Sequence, residues 1–79
     1  MFTIVNDYGR ERKITYRKLF QLLAGREISK VEFRKLVDIS QSTMTKLNKN
    51  EYVSLQTLEV ICNKLDCDIK DIIEFKKAE

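Results

Sequence analysis

A polar stretch near the middle of the chain carries the side chains best suited to specific hydrogen bonding. Residues 40–50 contain no Asp or Glu, and their only large apolar side chains are Met44 and Leu47. Because successive helical residues are about 100° apart, these two would face inward while polar residues face outward or lie at the exposed start of the helix. The outward set is Gln41, Ser42, Thr45, Lys46 and Lys49. The pattern predicts a polar, weakly basic helix face.

The chemistry of this face matches the edges of bases in duplex DNA. Gln can make a bidentate contact with adenine, Lys can donate to guanine, and Thr can meet a base edge or a thymine methyl group. A solvated helix surface is the alternative, since Ser, Thr and Lys are common on ordinary surfaces. Catalysis is disfavoured, because the chain has no histidine, glycine-rich phosphate loop, nucleophile motif or evident carboxylate pair. RNA binding is disfavoured too, because a stacking surface of sheet aromatics is missing.

Two short helices joined by a tight corner are predicted to position the polar face. Ser29 and Glu32 have the spacing of a capping box, so a helix should begin there. Its apolar face is formed by Phe33, Leu36 and Val37. Asp38 ends this helix, and aspartate tolerates the left-handed backbone conformation that a tight corner often needs. Ser40 caps the next helix, which is predicted over residues 41–49. Residues 29–49 therefore have the geometry of a helix-turn-helix.

Further helices are predicted on both sides of this unit. Thr15 can cap a first helix that ends near Gly25, and Ser54 can cap a fourth helix. Asp68 and Asp71 start a fifth, very short helix. We therefore expect an all-α, five-helix fold.

Short strands are possible at both ends of the chain. Residues 2–5 and 13–16 are β-prone and flank a turn-rich segment, so residues 1–14 form either a small hairpin or a flexible arm. Such a hairpin can pair with a strand at residues 73–75. We place the helix-turn-helix domain at residues 15–79, following an arm or hairpin at residues 1–14.

Composition narrows the class of protein further. The 79 residues are 43% hydrophobic, enough for one compact core, and no apolar run is long enough to span a membrane. We expect a cytoplasmic protein without a cofactor or metal, in which Cys62 and Cys67 act as small apolar residues. Residues 1–50 hold eleven Lys and Arg against five Asp and Glu, whereas residues 51–79 hold four against seven. This uneven distribution of charge is what a protein would show if its basic surface bound a polyanion. An ordinary solvated surface explains it equally well.

With these features the sequence resembles the Cro and phage-repressor type of helix-turn-helix family. The resemblance covers about residues 15–73, nearly the whole chain. It is carried by Phe33, Ile39, Ser40, Gln41, Ser42, Thr43, Met44, Leu47, Ser54, Leu55, Leu58, Leu65, Cys67, Asp68 and Ile69. It implies five helices with the third in the major groove of DNA.

The resemblance also implies roles for individual residues. Base edges would be met by Gln41, Ser42, Thr45 and Lys46, with Lys49 at the edge of the groove. Phosphates would be met by Arg17, Ser29, Lys30, Asn50 and Tyr52.

The chain departs from the family pattern at three positions. Arg34 stands where a small residue is usual, Asp38 stands where glycine is common, and Lys30 stands where glutamine often supports the recognition helix.

Two functions remain open at this point. The first is a transcriptional regulator, as a repressor and homodimer that binds double-stranded DNA at half-sites about 34 Å apart. The second is a protein-interaction module, such as an antitoxin or inhibitor, that reuses the same fold on a protein partner.

Overall fold

Four α-helices, one 3₁₀ turn and a two-stranded sheet make up residues 12–77, the part of the chain that the computed structural model describes. In chain order the elements are β1 (Arg12–Thr15), α1 (Arg17–Gly25), α2 (Lys30–Val37), α3 (Gln41–Asn48), α4 (Leu55–Leu65), the 3₁₀ turn (Ile69–Asp71) and β2 (Glu74–Lys77). The first strand of the predicted N-terminal hairpin, residues 2–5, lies outside the described residues. Strand β1 runs across the boundary that we place between residues 14 and 15.

Three of the four helices begin at a serine that the sequence marks as a cap. The hydroxyl oxygens of Ser29, Ser40 and Ser54 each accept a hydrogen bond from the backbone N–H three residues later, at 3.0–3.1 Å. Each bond satisfies a donor that the first helical turn leaves unpaired. At Ser29 the predicted capping box is complete, because the Glu32 carboxylate accepts the Ser29 backbone N–H at 2.8 Å. These three capping predictions are confirmed, whereas the prediction for Thr15 is wrong, because Tyr16 holds the N-cap position of α1 without a side-chain cap.

Four corners between elements adopt the left-handed backbone conformation without glycine. They lie at Glu27, Asp38, Asn50 and Asp66, with φ between 53° and 58°. Asp and Asn tolerate this region better than other non-glycine residues, because their short polar side chains can hydrogen-bond locally. The prediction of a left-handed corner at Asp38 is confirmed.

The prediction of a fifth α-helix is wrong. After α4 the chain forms only a three-residue 3₁₀ turn, although Asp68 and Asp71 do make the capping box expected at its start. The turn ends because Ile72 is fully buried and Glu74 onward is held as a strand against β1. Tertiary contacts therefore override a local start signal, and the fold is mostly helical with four α-helices and a small sheet.

The sheet joins the two ends of the described chain. Strands β1 and β2 are antiparallel, with Ile14 opposite Phe75 and Thr15 opposite Glu74. The pairing of the β-prone segment before α1 with a C-terminal strand is as expected, although β2 begins one residue later than predicted and extends to Lys77.

The hydrophobic core takes residues from every helix, from the junction of β1 with α1, and from the segment just before β2. It is formed by Tyr16, Leu19, Leu23, Phe33, Val37, Met44, Leu47, Leu58, Ile61, Leu65 and Ile72. Leu36, predicted on the apolar face of α2, does not belong to the core and is 44% exposed. On a two-turn helix, Phe33 and Val37 already form a narrow buried stripe, and Leu36 lies about 100° away from Val37.

Candidate nucleic-acid interface

Helix α3 is held to the protein by a narrow apolar anchor. Met44 is 4% exposed and Leu47 is fully buried, and these are the two buried residues of the helix. Its N-terminus is fixed by the Ser40 cap. Since an α-helix with side chains is about 10–12 Å wide, a helix anchored on so thin a stripe can project most of its width.

The predicted base-contacting residues all lie on the free side of α3 or at its C-terminal end. Gln41, Ser42, Lys46 and Lys49 are exposed, and Thr45 is half-buried. The Thr45 hydroxyl donates to the Gln41 carbonyl oxygen at 2.9 Å, so toward an external ligand it offers an acceptor and a methyl group. None of these side chains lies beneath another described element, and none is acidic.

Lys30 reaches across from α2 to the helices on either side of it. Its ammonium donates to Asn48 Oδ1 at 2.9 Å, and its Nζ lies 4.5 Å from the centroid of the Phe20 ring. The side chain therefore connects α1, α2 and the last turn of α3. Lys30 supports α3 at the family's glutamine position, a contact that the sequence did not predict.

The other predicted phosphate-binding residues at the helix N-termini are partly engaged within the protein. Arg17 Nη2 pairs with Glu74 Oε1 at 2.8 Å, which ties α1 to β2. Ser29 caps α2, and its hydrogen bonds to the Glu32 carboxylate lower the pKa of Glu32. The remaining guanidinium N–H groups of Arg17 keep their donor capacity, whereas the Ser29 hydroxyl is already engaged with Glu32.

The loop after α3 is fastened to the start of α1. Asn50 Oδ1 accepts the Tyr16 backbone N–H at 3.0 Å, and the Tyr16 hydroxyl donates to the Glu51 carbonyl oxygen at 2.7 Å. Burial raises the pKa of Tyr16, against a backbone hydrogen bond at Val53 that lowers it. Tyr52 follows with 78% of its surface exposed. The structure thus brings Asn50 and Tyr52 beside Lys49.

Two neighbouring side chains were missed by the sequence argument. Val31 and Arg34 of α2 line one surface depression together with Gln41, Met44 and Asn48 of α3. Arg34 Nε also donates to the Ile39 carbonyl oxygen at 3.3 Å, which supports the corner between the two helices. The sequence marked Arg34 only as a departure from the family pattern and gave no signal for Val31.

Cys62 on α4 lies close to Cys67, which follows α4 and precedes the 3₁₀ turn. Burial, followed by the nearby Cys67, raises the pKa of the Cys62 thiol to about 11, and burial also raises the pKa of Cys67. Across residues 12–77 there is no cluster of three or more His, Cys, Asp or Glu side chains placed to hold a metal ion. In the same part of the chain, no helix is both long and apolar enough to cross a membrane.

The arrangement of α2, the corner at residues 38–40 and the thinly anchored α3 defines a helix-turn-helix domain. A family model described as the Cro/C1-type HTH DNA-binding domain matches residues 10–78. The chain belongs to the Cro/C1-type helix-turn-helix family, which confirms the resemblance that the sequence suggested.

Two relatives agree with this membership. The chain is 35% identical over 60 residues to the HTH-type transcriptional regulator YozG of Bacillus subtilis (strain 168), which covers 73% of this chain and 71% of that protein. It is also similar to the crystal structure of the transcriptional regulator VanUg (Form II), with a TM-score of 0.82 and 45% identity. That match covers 87% of this chain and 92% of the other. The family is one of DNA-binding regulators, a class that is typically not enzymatic.

Proposed function

We propose that this protein is a sequence-specific transcriptional repressor that places α3 in the major groove of double-stranded DNA. The observation that carries the proposal is the exposed, acid-free outer side of α3, held by only Met44 and Leu47. The major groove is about 12 Å wide and admits one such helix. In a cell, such a protein acts in the cytoplasm.

Base recognition is assigned to the outer residues of α3, and each has a distinct chemical role. Gln41 suits adenine, Lys46 suits guanine, and Thr45 offers its methyl group to thymine and its hydroxyl oxygen to a base amino group. Ser42 adds a rotatable hydroxyl, and Lys49 contacts the groove edge. We assign the phosphate contacts, which position the protein without specifying sequence, to Arg17, Ser29, Lys30, Asn50 and Tyr52.

We further propose that two copies bind together, at half-sites about 34 Å apart. The outer edge of β2 is a candidate for their contact, because strand edges pair readily with a copy of themselves.

The test begins with selection of a preferred duplex from a random pool. The double variant Q41A/K46A should then lose most of its preference for that duplex over a scrambled one. Two bidentate contacts are worth about 2–6 kcal/mol of discrimination, roughly 30-fold to 10⁴-fold in relative affinity.

The matched control is Q56A/K64A, which removes the same two side-chain types from exposed positions of α4. It should keep the full preference, and both variants should show the circular dichroism of the parent. Unchanged discrimination in Q41A/K46A would show that α3 does not read the bases.

A protein partner is the second candidate function. Such a partner would cover exposed apolar side chains, among which Leu55 is 76% exposed and Leu36 is 44% exposed. Capture of a stoichiometric partner that is lost in L36S/L55S, with DNA discrimination absent in the parent protein, would favour this function over DNA recognition.

A further inference from the structure

The small sheet carries an unusual set of cross-strand neighbours. Arg12 lies directly opposite Lys77, and Lys13 lies directly opposite Lys76. All four side chains are exposed. Like charges in directly opposed positions destabilise a strand pair, so this arrangement works against the fold that contains it. We call these four residues the basic ribbon.

The charge of the basic ribbon is not neutralised by its own strands. Of the eight residues in β1 and β2, the one carboxylate is Glu74, and its Oε1 pairs with Arg17 at 2.8 Å. Within residues 12–77 none of the four ribbon cations takes part in an ion pair. Among the described residues, the four ribbon cations therefore lie exposed without an acidic partner.

The ribbon is continuous with the surface that we assign to DNA. Lys13 lines one surface depression together with Lys49, Asn50, Glu51 and Tyr52. A second depression runs from Lys13 and Asn50 to Lys76 and Lys77. Tyr16, the residue after β1, hydrogen-bonds to Asn50 and Glu51 and so fixes the strand against the loop that follows α3.

We infer that Lys13 and Lys76 bind the phosphate backbone of the duplex flanking the bases that α3 reads, an inference that rests on the proposed function. As direct cross-strand partners, these two side chains point to the same face of the sheet, and Lys77 lines one end of the depression that they share. Arg12 and Lys77 raise the local positive potential. The polyanion relieves the repulsion that the free protein carries in its sheet.

The experiment compares the parent protein with K13Q/K76Q on a selected duplex and a scrambled one, each titrated between about 50 and 200 mM salt. Each lost phosphate contact lowers the slope of log affinity against log salt by about 0.9, so the expected reduction is about 1.8. At about 0.1 M salt this corresponds to a loss of roughly 60-fold, equal for both duplexes, because backbone contacts carry no sequence information.

The matched control is K64Q/K70Q, which removes the same charge from exposed positions on α4 and the 3₁₀ turn. It should leave the slope close to that of the parent. Thermal unfolding tests whether the variant has a folding defect. The melting temperature of K13Q/K76Q should equal or exceed that of the parent protein, since the variant removes two directly opposed cations.

The outcomes separate the two proposals. A parent protein that discriminates between duplexes, with K13Q/K76Q retaining the parent salt slope, overturns the role of the ribbon alone. A loss of affinity confined to the selected duplex also overturns it, because the contact would then be to bases. A parent protein that binds no duplex overturns both proposals.

Discussion

Replacing Ser40 by alanine removes the cap of α3 while leaving its apolar anchor untouched. The Ser40 hydroxyl oxygen accepts the backbone N–H of Thr43 at 3.1 Å. Ser54 makes the same contact with Thr57 at 3.0 Å, at the start of α4, so S54A is a geometrically matched control. Both serines are exposed, and neither substitution opens a cavity in the core.

The two variants should lose the same stability but not the same affinity. Loss of a serine cap costs about 1 kcal/mol, which lowers the melting temperature of a domain of this size by about 4–8 °C. In S40A the first turn of α3, with Gln41 and Ser42, frays in the free protein and must reorder on DNA. If reordering costs up to about 1 kcal/mol, affinity for the selected duplex falls by up to about fivefold.

Urea titration and fluorescence anisotropy with a labelled duplex measure the two quantities on the same samples. Equal affinities for S40A and S54A, at equal stability, would refute the reasoning, because the first turn of α3 would then lie outside the interface. A fivefold loss in S54A would refute it as well, since α4 is assigned no contact with DNA.

Two further predictions concern the support of the site. In Y16F the loop after α3 loses the hydrogen bond to the Glu51 carbonyl oxygen, so the free energy of unfolding should fall by about 1 kcal/mol in urea titration; an unchanged value would show that this bond adds nothing to stability. The second follows from the Cys62 thiol, whose pKa is raised from 9.0 to about 11 by folding. The folded state holds this proton more tightly, so its contribution to stability is complete below pH 9.0 and is lost as the pH rises towards 11. Urea titrations across that range should show a decline that is smaller in C62A, and an equal decline in both proteins would contradict the assignment.

The features that the sequence predicted well depend on neighbouring residues. Ser29, Ser40 and Ser54 each cap a helix through an N–H three residues away, and Asp38 forms a left-handed corner within its own backbone. Such contacts join residues that are at most three positions apart in the sequence. The helix-turn-helix could therefore be located before any coordinates were known.

The features that the sequence did not predict depend on distant residues. The contact of Lys30 with Asn48 joins side chains from different helices, and the fifth helix was replaced by a turn because β2 pairs with β1. The basic ribbon combines residues from both ends of the chain, which no local pattern connects. Hydrophobic periodicity and capping patterns carry no information on these pairings, since each pairing depends on how whole helices and strands pack against one another.

Pairing of β1 with β2 also has a consequence for how the domain assembles. Arg12 and Lys77 can pair only after the intervening chain has folded back to bring the two strands together. The entropic cost of closing so long a loop comes before any contact between the strands can offset it. We therefore expect the helices to assemble first and the sheet to close last. Deleting either strand would leave the other strand unpaired. N-terminal truncation of β1 and C-terminal truncation of β2 should therefore produce the same partly open state.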